Sequence, residues 1–399
     1  MPRKTVKSEA STASPDPAPA KSTPVKAGKS TSTPAKSASK KDKDMPASKS
    51  STTKTSKDKD ASVIKQRRQR RASSTQVQPP TSSTSDPRRP LLAGLPPTAR
   101  FAAAEALTLA LLVAGRVALA AATRNELGGL RAAPESSTEL ALLAAWRAAE
   151  VALAWAANLD CVDVGLVSFV AHAPSFWLVA RFYGVRPATA LAGALVDAAA
   201  PAAAFALARP LARLRFAGAG GTSAKLYNRD LVSVPFQLLA GALAAAVYAA
   251  VVSLALRFVL PRVLVLHFRG IPTVAPAYAA SFFALLPTAA VFGAAASKFL
   301  FAPYVTTGRS KEDDRIRQFD PVRASLAETV WWNVWGYTLR GRIVITRTAL
   351  VTGMTAVSTF LACAVAMDGV TGWGAAAYAL VWASATAATG LALGLVGQE

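Results

Sequence analysis

Ionisable residues stand inside several long apolar stretches of the sequence. Arg147 and Glu150 share one stretch, and His172 and Asp197 occupy the next two. Inside a membrane, one such charge costs roughly 2.5–3.5 kcal/mol to insert, so a charge retained there marks a candidate solute site, ion path or proton relay. These four residues form the predicted intramembrane polar site, and Arg116 in the first stretch is a further candidate.

Spacing indicates how these groups would pair. Arg147 and Glu150 are three residues apart and can form an ion pair on one side of a helix. Asp197 has no charged neighbour in its own stretch, and Pro201 after it would free a backbone carbonyl and kink the helix. Two interpretations stay open. One is a polar cavity that binds a solute or relays protons, and the other is a set of charges that neutralise one another and fix helix register.

Residue types that support metal or enzyme chemistry are scarce. The chain has two histidines and two cysteines, and the cysteines stand apart from the histidines, so the usual ligand spacing of a zinc site is missing. Asp160 and Asp163 flank Cys161, but such a pair is typical of a helix cap and a solvated turn. The sequence therefore predicts no catalytic residue, no cofactor and no metal site, and it favours a non-enzymatic protein.

Composition divides the chain into two parts. It has 399 residues, 52% of them hydrophobic, and still carries a net charge of +22. Residues 1–98 hold 21 Lys and Arg against 7 acidic residues, with no aromatic side chain. Such a segment cannot bury enough apolar surface to offset an ordering cost of roughly 1–2 kcal/mol per residue. We therefore predict a disordered, basic cytoplasmic tail, followed by a membrane domain over residues 99–399.

The predicted membrane domain, residues 99–399, consists largely of apolar stretches of about 20 residues. That is the length that crosses a ~30 Å hydrocarbon core. The second stretch is the least secure, because three charged residues fall inside it. With eight spans and a cytoplasmic tail, the cytoplasmic loops carry 12 Lys and Arg and the opposite loops 7, whereas omitting the second span reverses this bias. The prediction is an all-α, polytopic transmembrane helix bundle with both termini cytoplasmic and spans near 101–123, 138–158, 163–183, 188–208, 231–256, 276–300, 343–367 and 372–396.

An aromatic cluster precedes the seventh predicted span, in the run ETVWWNVWGYTLRGR over 328–342. On a helix the indoles occupy neighbouring positions, and indole combines an apolar body with one N–H that prefers water or headgroups. We interpret the run as an interfacial anchor, with a ligand pocket and a nucleic-acid stacking surface as alternatives. The predicted anchor residues are Trp331, Trp332, Trp335, Tyr337, Arg340 and Arg342.

The highest charge density of the tail is in the polybasic run KQRRQRR at 65–71. Its basic residues are Lys65, Arg67, Arg68, Arg70 and Arg71. It could act as a nuclear import signal, lie on anionic lipid, or neutralise nucleic-acid phosphates. Thr23 and Thr33 each precede a proline with a lysine two residues further on, and they resemble sites of proline-directed kinases. Phosphorylation there would offset part of the positive charge.

Several runs resemble a group of multi-pass membrane proteins of filamentous fungi. They are Phe319-Asp320-Pro321, Ala324-Ser325-Leu326-Ala327-Glu328-Thr329, Asn333-Val334-Trp335-Gly336-Tyr337 and Phe182-Tyr183-Gly184. The resemblance covers roughly residues 138–396 and excludes the tail. That group has no assigned activity, so the resemblance implies a membrane architecture and transfers no site residue. Together with the tail, it favours an endomembrane location, in the ER or nuclear envelope.

The leading functional hypothesis is a membrane scaffold or tether whose tail contacts anionic lipid, chromatin or a cytoplasmic protein under phosphorylation control. The second is a transporter or channel that uses Asp197, His172, Arg147 and Glu150. A membrane-embedded enzyme ranks third. The lipid bilayer is the one partner that the apolar stretches themselves require, and the sequence does not indicate an oligomeric state.

Overall fold

The structure is a computed structural model that describes residues 91–92, 94–130, 137–209, 228–303, 307–308 and 310–396. The polybasic run at 65–71 and the candidate phosphosites Thr23 and Thr33 lie outside these residues. The same holds for nearly all of the predicted tail.

Helices form the regular structure of the described residues, which contain no β-strand. The all-α bundle predicted from the sequence is confirmed. In chain order the α-helices are α1 (Pro97–Ala122), α2 (Ser137–Ala156), α3 (Cys161–Phe182), α4 (Pro187–Ala208), α5 (Val234–Phe258), α6 (Leu260–His267), α7 (Ala275–Tyr278), α8 (Phe282–Phe301), α9 (Lys311–Arg317), α10 (Leu326–Trp335), α11 (Leu339–Ala364) and α12 (Gly372–Val396).

Within the described ranges, seven helices are long and apolar enough to cross a membrane: α1, α3, α4, α5, α8, α11 and α12. Each of them overlaps one of the predicted spans. The remaining predicted span, 138–158, corresponds to α2, which has 20 residues. Its charged residues Glu139, Arg147 and Glu150 make it less apolar than the other seven.

Helix ends follow local capping rather than the edges of the apolar stretches. The Ser281 hydroxyl accepts a hydrogen bond from the backbone N–H of Ala284 at 3.2 Å and so starts α8, later than the predicted span 276–300. The Thr338 hydroxyl accepts one from Gly341 at 3.3 Å and starts α11 earlier than the predicted 343–367. Short polar residues at these positions satisfy backbone donors that a helix start leaves free.

An aromatic cluster joins α5, α8 and α12. The Phe292 ring lies 4.8 Å from the Trp382 ring and 5.6 Å from the Tyr248 ring, measured between centroids. All three side chains are buried, and the Tyr248 hydroxyl donates to the hydroxyl of Thr386 at 3.0 Å. Because the Tyr248 hydroxyl has this hydrogen-bond partner, its burial leaves no unsatisfied donor in the cluster.

The closest backbone approach joins α5 and α8 at Gly293. A Cβ atom added there would lie 2.5 Å from the backbone nitrogen of Ala245 and 2.9 Å from the carbonyl oxygen of Gly241. Both atoms belong to main chain that cannot rotate away, so only glycine fits. Such close contact supplies the van der Waals attraction that holds helices together in lipid.

We expect Gly293→Ala to lower the free energy of unfolding by about 1–3 kcal/mol, because the methyl group forces α5 and α8 apart. The matched control is Gly353→Ala in α11, where an added Cβ meets nothing within 4 Å. The control should be neutral or stabilising by up to ~1 kcal/mol, since alanine favours helix. Unfolding of the purified variants in one detergent measures both values, and equal stabilities would contradict the close approach at Gly293.

Candidate functional site

Arg147 links the predicted polar residues across two helices. From α2, its Nη1 donates to Glu150 Oε2 at 3.1 Å, which is the local pair that the spacing predicts. Its Nη2 donates to Oδ2 of Asp197 in α4 at 2.9 Å. His172 in α3 contacts the same Nη1 through its Nε2 atom. The structure thus brings all four predicted residues together, from three different helices.

Asp197 is paired with a second arginine, from α1. The Arg116 guanidinium donates from Nη2 to Oδ1 at 3.0 Å and to Oδ2 at 2.9 Å, with Nε 3.2 Å from Oδ1. The carboxylate is 2% exposed, so it depends on the two guanidinium groups for its charge compensation. Sequence spacing could not reveal this pair, because its members lie on separate helices. The only available signal was that each is a charge inside an apolar stretch.

Two uncharged residues extend the network to α11. The Ser358 hydroxyl donates to Glu150 Oε1 at 2.5 Å and accepts from Trp146 Nε1 at 3.0 Å. The side chains of Glu150 and Ser358 are both buried. Sequence analysis missed Ser358, since a serine in a span has many ordinary roles. The network therefore runs without a break through α1, α2, α3, α4 and α11.

The charges of the network balance when His172 is neutral. Arg116 and Arg147 then face the carboxylates of Asp197 and Glu150. Removing one partner of such a buried pair leaves an uncompensated charge and costs about 3–5 kcal/mol. The interpretation of these residues as mutually neutralising charges is consistent with this geometry, but the same atoms also line a cavity.

A cavity of about 320 Å³ lies over the network, between α1, α2, α3 and α11. Its floor is polar and includes Arg116, Arg147, His172 and Asp197. The walls are mainly apolar, with leucines from α1, α2 and α11 together with Phe176, Val179 and Met367. The side chain of Arg116 is 38% exposed, so its guanidinium is both paired with Asp197 and open to this space. An apolar wall with a few convergent polar groups is the usual composition of a small-molecule site.

The segment after α1 covers one side of this cavity with Leu127 and Leu130. Glu126 attaches that segment to the start of α4: its carboxylate accepts from the Thr189 hydroxyl at 2.6 Å and from the Arg186 backbone N–H at 2.8 Å. The Thr189 bond, then the Arg186 bonds, lower the pKa of Glu126 to about 2. Because the folded pKa lies below the ordinary value of 4.5, this attachment is at full strength above pH 4.5 and weakens as the pH falls towards 2.

Helix α2 is held to the bundle by its polar residues and, near its end, by Trp155, whose ring lies 5.6 Å from that of Phe101 and 5.9 Å from that of Phe205, between centroids. Its buried side chains are Glu150, Val151 and Ala154, and its leucines at 140, 142 and 153 are exposed. Breaking the network would therefore remove much of what attaches α2 to α3, α4 and α11. The helix that forms one wall of the cavity thus buries three side chains, one of them charged.

A second buried ion pair lies at the start of α3, away from the cavity lining. Asp163 Oδ2 accepts from Nη2 of Arg347 in α11 at 2.7 Å, and Nη1 of the same arginine donates to the Phe299 carbonyl at 2.6 Å. Asp160 caps α3 by accepting from the backbone N–H of Asp163 at 2.8 Å. The cap interpretation of Asp160 fits, whereas the solvated turn expected for Asp163 is wrong, because Asp163 is 4% exposed and paired.

The predicted interfacial anchor spans α10, the turn after it and the first turn of α11. None of the residues of α10 is buried. The Arg342 guanidinium lies 5.3 Å from the Trp331 ring centroid and 5.6 Å from that of Trp335, within cation–π range. The Trp332 ring instead stacks on Phe319 at 4.8 Å, and Arg340 Nε donates to the Thr307 carbonyl at 2.9 Å.

None of the six predicted anchor residues lines the cavity over the network. The exposed side chains of this cluster include Trp331, Trp335 and Tyr337, together with Leu326, Val330 and Val334. An uncovered helix that combines leucine, valine and tryptophan with nearby arginine has the composition of a membrane interface.

The chain matches no protein-family model, no curated protein and no solved structure. Its class therefore follows from its own structure. It is an all-α bundle with seven described helices that could cross a membrane and a charged network buried among five helices. These features are those of an integral membrane protein.

Proposed function

We propose that this protein binds a small amphipathic solute inside the membrane, in the cavity over the Arg147 network. The observation that carries the proposal is the 320 Å³ cavity itself, which combines an apolar wall with a charged floor. Charges that served only to fix helix register would be covered by packed side chains. Here Arg116 and Arg147 border open space instead, which favours the transporter hypothesis over the purely structural one.

The position of the cavity supports solute binding. Its lining comes from the interior of α1, α2, α3 and α11, where transporters bind substrates near the middle of the bilayer. The loosely packed α2 forms one wall, so a solute can reach the floor by displacement of that helix without disruption of the α5–α8 contact. A solute with an apolar body would replace water against the leucines, and its polar group would meet the arginines.

Filling the cavity should block binding. We expect Leu143→Trp, on the cavity wall, to weaken binding of the solute at least about tenfold, because the indole occupies the space of the ligand. The measurement is titration of protein in lipid nanodiscs with three probes that share an eight-carbon chain: octanesulfonate, octylammonium and octanol. The matched control is Leu142→Trp, on the exposed side of the same helix, which should bind as the unmodified chain does.

Empty nanodiscs supply the background for partition of the probes into lipid. Saturable binding of at least one probe that Leu143→Trp weakens and Leu142→Trp retains supports the proposal. Failure of all three probes to bind above background, or equal effects of the two tryptophans, would overturn it.

We further propose that α2 crosses the membrane as an eighth span, so that both termini lie in the cytoplasm. The support is that Arg147 and Glu150 are paired within the bundle: Arg147 with Asp197, and Glu150 with Arg147 and Ser358. Glu139 stands in the first turn, where a carboxylate favours the helix start. Leu142 and Leu153 are exposed on the outer side, towards lipid.

Glycan acceptors placed in two segments test the span count. An acceptor within 131–136, between α1 and α2, should be modified in the ER lumen, and one within 210–227, between α4 and α5, should stay unmodified. If α2 does not cross and the tail is cytoplasmic, the second acceptor is modified as well as the first. An acceptor placed in the tail reports its side directly, and a glycan there would contradict the cytoplasmic assignment.

A tethering role for the tail is our second proposal, and the five basic residues within 65–71 favour it. We expect charge reversal of those five to relocalise the protein from the ER or nuclear envelope, or to abolish its binding to anionic vesicles, because each basic residue contributes about 1 kcal/mol near such a surface. The matched control reverses five dispersed residues: Lys21, Lys26, Lys29, Lys36 and Lys40. Unchanged location and vesicle binding would remove the tether proposal.

A further inference from the structure

We propose that His172 makes the cavity a proton-dependent site for a small organic anion with an apolar body. The proposal rests on the solute-binding function above and adds the charge of the ligand and the co-bound proton. It follows from the contacts of one atom, Nε2 of His172. A group that can only donate a hydrogen bond and a group that can only accept one both contact this atom.

The two groups belong to the same helix. Arg147 Nη1 contacts His172 Nε2, and a guanidinium nitrogen can only donate. The Glu150 carboxylate lies 3.1 Å from Nε2 through Oε1 and 3.2 Å through Oε2, and a carboxylate oxygen can only accept. The imidazole of His172 is 4% exposed, so water cannot relieve either contact.

One nitrogen cannot satisfy both neighbours. If the proton of a neutral imidazole is on Nδ1, Nε2 accepts from Arg147 and its lone pair faces the Glu150 oxygens. If Nε2 carries a proton, it donates to Glu150 and can no longer accept from Arg147. When that proton comes from water in the cavity and Nδ1 keeps its own, the imidazole becomes a cation. The N–H groups of Arg147 and His172 then oppose each other, and Arg147 Nη1 must withdraw. The network thus has two mutually exclusive arrangements, and the proton on Nε2 selects between them.

Arg147 Nη1 has open space into which it can withdraw. Arg147 lines the cavity, and its Nη2 remains bonded to Asp197 at 2.9 Å, so the guanidinium can pivot about that bond and turn Nη1 towards the open floor. This movement also breaks the 3.1 Å bond from Nη1 to Glu150, which the protonated imidazole replaces by its own N–H. The protonated network carries one positive charge in excess, because two arginines and an imidazolium face two carboxylates. A buried excess charge is costly, and an anion in the cavity neutralises it. Proton uptake and anion binding therefore favour each other.

The remaining charged neighbours are consistent with this assignment. From α4, Asp197 faces the site but is already shared by two arginines. From α1, Arg116 is held by Asp197 with its side chain partly exposed to the cavity. From α11, Ser358 contributes a hydroxyl and no charge. From α12, the Tyr378 hydroxyl donates to the Pro174 carbonyl at 2.7 Å and not to the imidazole.

The walls define the rest of the ligand. Apart from its floor, the cavity is lined mainly by leucine, valine, alanine and phenylalanine, which favour a hydrocarbon body. A single carboxylate or sulfonate at one end would meet Arg147 and Arg116. A cationic ligand of the same shape would find one excess positive charge and bind less well once the proton is present.

The test uses the full chain in lipid nanodiscs and follows octanesulfonate, octylammonium and octanol binding at pH 5.5 and pH 8.0. Because the sulfonate stays ionised over this range, any pH dependence belongs to the protein. We expect octanesulfonate to bind about tenfold or more tightly at pH 5.5, with close to one proton taken up per anion at the intermediate pH. Calorimetry in two buffers of different ionisation enthalpy measures that uptake.

Variants of the two histidines test whether His172 is the group that takes up the proton. His172→Gln should still bind octanesulfonate but with less than a twofold change between the two pH values, and with no proton uptake. The matched control is His267→Gln, which removes the only other histidine of the chain, at the end of α6, and should keep the pH dependence. If His172→Gln does not fold, His172→Asn replaces it, and the proton uptake of the unmodified chain remains decisive without either variant.

The binding and proton-uptake results distinguish this inference from the proposed function. Tighter anion binding at low pH with proton uptake that depends on His172 supports the inference. Binding of octanesulfonate without proton uptake, or preferential binding of octylammonium, overturns it and leaves solute binding intact. Proton uptake that survives in His172→Gln also overturns it. Absence of binding by all three probes removes the proposed function together with this inference.

Discussion

The bridge that Arg147 makes between Glu150 and Asp197 is the interaction on which the described membrane domain depends. Apolar packing explains how α5 joins α8 and how the aromatic cluster joins both to α12, but it explains only in part why α2 belongs to the bundle. That helix buries one charged and two small apolar side chains, and its Trp155 packs on Phe101 and Phe205. The charged contacts complete its attachment, and the low dielectric of the interior strengthens each bond while raising the cost of losing one.

The same bridge connects structure with function. A network with balanced charge can exist inside a membrane at acceptable cost, and it can respond to one added proton or one added anion because either disturbs the balance. Packed leucines could hold the same helices but could not respond in this way. The cavity over the network, with Arg116 and Arg147 at its floor, places that responsive chemistry where a solute can reach it.

Sequence patterns predicted the all-α class, the approximate position of each long helix and the identity of four network residues. Residue types sufficed for these, since about 20 apolar residues indicate a span and a charge within one is unusual. They could not show that Arg116 pairs with Asp197 or that Ser358 joins Glu150, because those contacts depend on how separate helices pack. Asp163 was misjudged for the same reason: its partner, Arg347, is supplied by a distant helix.

The positions of the helices could also be predicted from the sequence, but not the residues at which they begin. The apolar stretches located the spans, whereas Ser281 and Thr338 decided where α8 and α11 begin, since a capping hydroxyl satisfies backbone donors whatever the hydropathy of the following residue. The indoles at 331 and 335 lie beside Arg342, an arrangement that their spacing permits but does not require.

The long separation between the paired residues has a consequence for biosynthesis. The carboxylate of Asp197 leaves the ribosome well after both of its arginines, which belong to α1 and α2. Until α4 arrives, Arg116 in α1 lacks the carboxylate that pairs with it, and Arg147 has only Glu150 of its own helix. The charge of Arg116 is therefore balanced only once α4 has been synthesised, which favours assembly of these helices as a group rather than one by one.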